Sequence, residues 1–208
     1  MAYVEGSPIP TPNYPTGSHQ FLSPLQKAQQ HNGMNGHSVP PFALDVAIVG
    51  AGVGGLSAAI ALRREGFNVT VYEGASVLSE PVDACVKLGA GIQVPPNSAR
   101  LLHSWGLETA MRKKSVIPES MIWRRWQNGT KIAHTRLNPE FQGLFGTPYY
   151  VTHRAHLHEV LHEHAVALGA KIELRNRVVR YDPDEASFVT DQGATIHADL
   201  VVAADGKS

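Results

Sequence analysis

Residues 44–73 read Leu44-Asp-Val-Ala-Ile-Val-Gly50-Ala-Gly52-Val-Gly-Gly55-Leu-Ser-Ala-Ala-Ile-Ala-Leu-Arg-Arg-Glu65-Gly66-Phe-Asn-Val-Thr-Val-Tyr72-Glu73, and this stretch decides the fold. Leu44–Val49 is a short apolar run of the kind that forms a strand buried on both faces of a parallel sheet. Gly50, Gly52 and Gly55 supply a G-x-G-x-x-G turn directly after it. In such a turn the first glycine allows the tight reversal, the second lets backbone approach a pyrophosphate, and the third lets helix pack on strand. Small and apolar residues from Leu56 to Leu62 predict a helix from about Gly54 to Glu65, its N-terminal amides and positive dipole end facing the phosphates. Gly66 stops that helix, and Phe67–Tyr72 predicts the second strand. Glu73 stands at the end of this strand, where a carboxylate can accept hydrogen bonds from a ribose diol. A lone glycine triplet says little, but strand, turn, helix, strand and terminal acid in this order describe a dinucleotide-binding βαβ unit.

Composition narrows the remaining classes. The chain has 208 residues, 43% of them hydrophobic, with 18 basic and 18 acidic side chains. A neutral balance gives no electrostatic reason to expect nucleic acid or an anionic membrane surface as partner. A single cysteine, Cys85, rules out an intrachain disulfide and fits a reducing, cytoplasmic compartment. No apolar run approaches the roughly 20 residues needed to cross a bilayer. Residues 1–41 are rich in Pro, Ser, Asn, Gln and His and lack the apolar core of a secretory signal. They read as a disordered leader, with the folded domain occupying residues 42–208.

Downstream, Asn97–Trp105 is expected to be helical with Leu101 and Leu102 buried. Ser120–Trp126 and Lys131–Thr135 flank Asn128-Gly129 as a hairpin, with side chains alternating between core and surface. Leu157, Val160, Leu161, Ala165 and Leu168 fall at helical spacing, which predicts a helix from Arg154 to Leu168 ended by Gly169. Short strands follow at Lys171–Leu174, Val178–Tyr181, Ser187–Thr190, Thr195–His197 and Leu200–Ala203.

Four segments then carry a resemblance: the βαβ unit ending in Glu73; Gly89-Ala90-Gly91-Ile92-Gln93-Val94-Pro95-Pro96-Asn97-Ser98; Thr152-His153-Arg154-Ala155-His156-Leu157; and Asp199-Leu200-Val201-Val202-Ala203-Ala204-Asp205-Gly206. In this order they are similar to the N-terminal part of the group A FAD-dependent aromatic monooxygenases, and most of all to the fungal salicylate-hydroxylase-like enzymes. The resemblance covers residues 44–208 and implies an α/β, Rossmann-like FAD-binding fold of the glutathione-reductase and aromatic-hydroxylase type, incomplete at its C-terminus. It implies cofactor-binding roles for Gly50, Gly52, Gly55, Glu73, Ala90, Gly91, Arg154 and Asp205. It further implies FAD as cofactor, NAD(P)H as co-substrate, O₂ as oxidant and a small aromatic or phenolic, polyketide-derived substrate. Oligomeric state is left open.

Two departures from the family pattern stand out. Pro81-Val-Asp-Ala-Cys-Val-Lys87 separates Glu80 from the Gly-Ala-Gly segment, read either as an altered splice junction or as a lineage-specific loop. Only Lys207 lies between Gly206 and Ser208, a shorter spacing than the family has. The family's second half, with its Gly-Asp motif and catalytic side chains, is expected beyond Ser208, so the chain reads as a truncated product. That leaves an active hydroxylase and an inactive FAD-binding module as alternatives. A third pattern competes: His158-Glu159-Val160-Leu161-His162 matches H-E-x-x-H, as zinc peptidases require. Ala165 and Leu168 stand where the longer motif needs glycine and a third histidine, so no metal is expected and both histidines are assigned to a solvated helix face. Trp123, Arg124, Arg125 and Trp126 are read as alternating hairpin positions and not as a base-stacking platform.

Overall fold

The computed structural model describes residues 44–78 and 90–206. The leader, the segment Pro81–Lys87 with Glu80 and Gly89 beside it, and Lys207-Ser208 lie outside the described residues. Strand β1 (Asp45–Val49) leads through the glycine turn into helix α1 (Val53–Arg64) and then β2 (Asn68–Tyr72). Beyond them lie β8 (Lys171–Glu173) and β12 (Leu200–Ala203), and the parallel sheet runs β12-β1-β2-β8. Register pairs Val49 with Tyr72 on one side and with Ala203 on the other, so the C-terminal ends of three strands meet at the glycine turn.

The near-continuous apolar run of β1 has a direct structural cause. Val46 and Ile48 face the helical layer and pack with Leu56, Ala59 and Ile60 of α1. Ala47 and Val49 face the other way, into a smaller cluster with Phe188. Phe188 belongs to an antiparallel sheet of β9 (Val178–Asp182), β10 (Ser187–Thr190) and β11 (Thr195–His197). Its ring meets Tyr72 edge-on at 5.1 Å between centroids, a favourable geometry for two quadrupoles. Helix α5 (Arg154–Ala167) packs against α1 and buries Leu157, Val160, Leu161 and Ala165, the face that the helical spacing predicts.

A third sheet, β3-β7-β4, combines β3 (Gly91–Val94), β4 (Ser115–Val116) and β7 (Tyr150–His153). Its central strand β7 runs without a loop into α5 at Arg154. Helices α2 (Pro96–Ser104), α3 (Glu108–Lys114) and α4 (Glu140–Phe145) complete the helical content of the described residues. Strands β3, β4 and β7 and helices α3 and α4 are elements that periodicity alone did not announce.

Two expectations need correction. Leu102 is buried, but Leu101 is 50% exposed, because α2 presents only Ala99 and Leu102 to the core. The hairpin forms, with β5 (Ser120–Arg124) paired to β6 (Lys131–Arg136), yet neither of its faces is buried among the described residues. Ile122, Trp123, Trp126 and Ile132 are all exposed, so the expected alternation between core and surface is absent there.

Candidate functional site

The site is built around the turn joining β1 to α1. Gly50 has a φ of +99°, which an L side chain rarely adopts. Its N–H donates to the Tyr72 carbonyl at 2.7 Å, tying the turn to β2. A Cβ at Gly50 would fall 2.6 Å from the Ala204 carbonyl oxygen, because the end of β12 packs directly on the turn. At Gly55 a Cβ would lie 1.9 Å from the Gly50 carbonyl oxygen, which is the close helix-to-strand approach that the third glycine permits. Gly52 differs from both: a Cβ there meets nothing within 4 Å, leaving its backbone open to an approaching group. Gly52 is also the N-cap of α1, with no side-chain cap and no acidic residue in the first turn. The first amides of a helix lack intrahelical acceptors and carry the positive end of its dipole. An anion is the group that such a terminus suits.

Glu73 lies half-buried at the end of β2. One carboxylate oxygen accepts the Ala51 N–H at 2.7 Å and the other accepts the Ala75 N–H at 2.8 Å. The acid that sequence marks as a ribose partner therefore also braces the glycine turn. Each oxygen still has a second lone pair for a further donor.

Ala90 and Gly91 are exposed on the first residues leading into β3, where Gly91 pairs in register with His153. The Arg154 N–H donates to the Ala90 carbonyl at 3.3 Å, so the start of α5 and the Ala90-Gly91 segment meet. Arg154 is exposed. Asp205 sits beyond β12 with its Cα 2.8 Å from where a Gly50 Cβ would be. Its carboxylate accepts the Tyr181 hydroxyl at 2.8 Å. Burial, and then the hydrogen bond to Asp205, push the Tyr181 hydroxyl well above its ordinary range. The structure thus gathers Gly50, Gly52, Gly55, Glu73 and Asp205 around one turn, and joins Ala90, Gly91 and Arg154 at the head of α5.

The H-E-x-x-H residues have other engagements. His158 places Nε2 2.7 Å from the Ala51 carbonyl oxygen, and Glu159 pairs with Lys114 at 3.0 Å. His158 and His162 are half-buried, which corrects their assignment to a solvated face. Burial, helped by the neighbouring His158 and opposed by Glu163, holds His162 below its ordinary pKa. Among the described residues no three His, Cys, Asp or Glu side chains converge as a metal site. A polar concavity of about 440 Å³ lies at the opposite, N-terminal end of the strands, lined by Asp45, Asn68 and Lys171. It touches none of the turn residues, and ligands of open α/β sheets bind beyond the carboxyl ends of the strands.

The model of an FAD binding domain family matches residues 43–208. The chain belongs to this family. The FAD-binding domain is 36% identical to a 3-amino-4-hydroxybenzoate 2-monooxygenase of Streptomyces platensis, over 77% of this chain and 39% of that protein. It is 35% identical to a hispidin-3-hydroxylase of Neonothopanus nambi, over 78% of this chain and 37% of that protein. Its fold superposes on the crystal structure of a 2-methyl-3-hydroxypyridine-5-carboxylic acid oxygenase with a TM-score of 0.66 and 30% identity, over 79% of this chain and 40% of that one. The fold is therefore that of the FAD-binding aromatic hydroxylases, and the chain spans about two-fifths of the length of these relatives. No helix among the described residues is long and apolar enough to cross a membrane.

Sequence reasoning missed two side chains that the structure brings to candidate site residues, His158 at the glycine turn and Tyr181 at Asp205. His158 carried a signal, since it lies one helical turn after Arg154, but the metal pattern drew the reading elsewhere. Tyr181 carried none: its contact with Asp205 depends on how the β9–β11 sheet lies over the parallel one, which no local pattern encodes.

Proposed function

We propose that the chain is the FAD-binding part of an FAD-dependent monooxygenase that hydroxylates an aromatic or phenolic, polyketide-derived metabolite with NAD(P)H and O₂, within the fungal salicylate-hydroxylase-like subgroup and in the cytoplasm. The observation that carries this reading is the open Gly52 backbone at an uncapped helix terminus, with Glu73 beside it and Asp205 behind it. That cradle fits an adenine dinucleotide. Gly50, Gly52 and Gly55 would bring backbone to the pyrophosphate, and Glu73 would receive the ribose hydroxyls. Ala90, Gly91 and Arg154 would border the flavin, the guanidinium forking onto oxygen atoms. Asp205 would close the turn from the β12 side. FAD supplies hydride acceptance and oxygen activation, and the protein's part is to bind it, orient the aromatic ring and exclude water. The names of the two relatives, a 3-amino-4-hydroxybenzoate monooxygenase and a hispidin hydroxylase, support an aromatic substrate.

A second reading, an FAD-binding module without hydroxylase activity of its own, draws on the 39% share of the Streptomyces platensis enzyme that the chain spans. Titration of the purified chain with FAD, followed by flavin absorbance and fluorescence, tests both. Stoichiometric binding is expected. Glu73→Ala should weaken it by roughly 1–3 kcal/mol, because a buried ribose hydroxyl and two backbone amides lose their acceptor. A folded chain that takes up no FAD overturns the cradle, and unchanged affinity in Glu73→Ala removes that residue from it. Rapid NADPH oxidation stimulated by an aromatic substrate would favour the complete activity over the inactive module.

A further inference from the structure

We infer that His158 is a positioning residue for the dinucleotide turn: its Nε2–H grips the Ala51 carbonyl and thereby aims the Gly52 amide at the cofactor. The inference rests on the FAD reading above for its purpose, while the grip itself can be measured without FAD.

The geometry follows from peptide planarity. Ala51 is buried, at 1% exposure, between the two glycines that shape the turn. Its N–H donates to Glu73 at 2.7 Å, and its carbonyl lies 2.7 Å from His158 Nε2. A carbonyl oxygen can only accept, so Nε2 carries the proton. In a trans peptide the C=O and the following N–H are coplanar and point in opposite directions. Holding the Ala51 carbonyl therefore turns the Gly52 N–H away from His158, at a residue where a Cβ would meet nothing within 4 Å. By the same rule, the Glu73 contact turns the Gly50 carbonyl away, and that oxygen lies against Gly55. The two peptide planes flanking Ala51 are thus pinned independently, one by an acid from β2 and one by an imidazole from α5.

The lever behind His158 is rigid. Helix α5 is anchored by Leu157, Val160, Leu161 and Ala165 in the core. Its first residue, Arg154, donates its N–H to Ala90. Arg154 and His158 are one turn apart, about 6 Å along the axis at 1.5 Å per residue. A single helix therefore sets the spacing between the pyrophosphate turn and the Ala90-Gly91 segment. That coupling explains why a histidine occupies a half-buried helix position where an apolar residue would fill the same space.

The test uses the full 208-residue chain as wild type, His158→Phe, which keeps a ring but no donor, and His158→Gln, whose amide nitrogen stands near the position of Nε2. FAD affinity is read by fluorescence titration, and backbone hydrogen exchange is read on peptides covering Gly50–Leu56 and, as control, Ser187–Thr190. The expected result is about a tenfold weaker FAD affinity in the Phe variant, the size of one lost hydrogen bond to a buried carbonyl. Exchange should quicken at Gly50–Leu56 alone, and the Gln variant should recover most of both. Unchanged affinity and exchange in the Phe variant overturn the inference, as does a Gln variant no better than Phe or exchange that quickens equally in both peptides. If the wild-type chain takes up no FAD, the FAD reading fails and exchange at Gly50–Leu56 alone decides the grip. If the Phe variant does not fold, the ring nitrogen shifts of wild-type His158 decide it: protonated Nε2 supports the grip, and protonation at Nδ1 alone overturns it.

Discussion

In β1 side chains are buried on both faces of the strand, and in β2 they are buried on one face and half-buried on the other, whereas β5 and β6 have exposed side chains on both. The first pair sits between a helical layer and the β9–β11 sheet, and the turn that joins β1 to α1 is packed so closely that a Cβ at Gly50 or Gly55 would fall on a carbonyl oxygen. The second pair obeys the same hydrogen-bonding rules, with an antiparallel register from Ser120↔Arg136 to Arg124↔Lys131 that is broken once, by a shift between Trp123 and Arg124. Yet it carries Ile122, Trp123, Trp126 and Ile132 into solvent. A backbone ladder alone thus makes a hairpin, but only the sandwiching of β1 and β2 makes a cradle rigid enough to hold a turn in one geometry.

The sharpest way to break that comparison is to place the same methyl group in both regions. Gly55→Ala puts a Cβ 1.9 Å from the Gly50 carbonyl oxygen, a backbone atom that cannot move without distorting the turn. The expected loss is at least about 3 kcal/mol, at or beyond the top of the usual overpacking range. Gly129→Ala in the hairpin turn meets nothing within 4 Å and suffers only from its φ of +70°, worth about 1 kcal/mol. Urea unfolding of both variants checks the difference; equal losses would mean that the two regions are packed alike.

A smaller effect depends on pH, through histidines of the helical layer. His103 on α2 and His162 and His164 on α5 are all held below the ordinary histidine pKa of 6.5, in each case chiefly by burial. Glu108 partly offsets this at His103, and the Trp105 backbone does so at His164. The His164 Nε2 is buried without a hydrogen-bond partner. Below pH 6.5 the unfolded chain binds these protons more readily than the folded one, so stability falls as pH drops from about 6.5 through the lower folded values. About a unit above 6.5 all three are neutral in both states and the effect vanishes. Thermal melts at about pH 7.5 and 5.5 should show a lower Tm at the acid end, with a smaller drop in His164→Phe. An identical drop in that variant would remove His164 from the account.

The same contrast governs what was legible in the sequence. The βαβ unit could be read because each of its constraints is local: glycine spacing, an apolar strand, an acid at the strand end. Leu157, Val160, Leu161 and Ala165 could be read because α5 buries one face along its whole length. Leu101 was misplaced because α2 is short and meets the core at Ala99 and Leu102 only. The hairpin's turn was legible in Asn128-Gly129, but its burial was not, since alternation shows which residues share a face and not whether anything covers it. Around the glycine turn, the place of Glu73 at the end of β2 was legible, whereas its brace on Ala51 and the Tyr181–Asp205 bond were not. Both depend on where a turn's amides and a second sheet come to rest in space.

The smallest predicted effect lies at the hairpin tip. Trp126 is 89% exposed, so removing it from the chain uncovers little and leaves no cavity. Trp126→Ser should shift unfolding stability by no more than about 0.5 kcal/mol, as for surface positions generally. Phe188→Ala, at a fully buried ring against Tyr72, should cost about 3–5 kcal/mol in the same experiment. The comparison is sharpened by running both at two protein concentrations. A cost above about 1 kcal/mol for Trp126→Ser that disappears on dilution would mean that the indole is covered by a second copy in solution, since an exposed aromatic patch is the kind of surface that associates. A cost that persists on dilution would mean that the hairpin packs within the chain and that the two regions differ less than their exposures indicate.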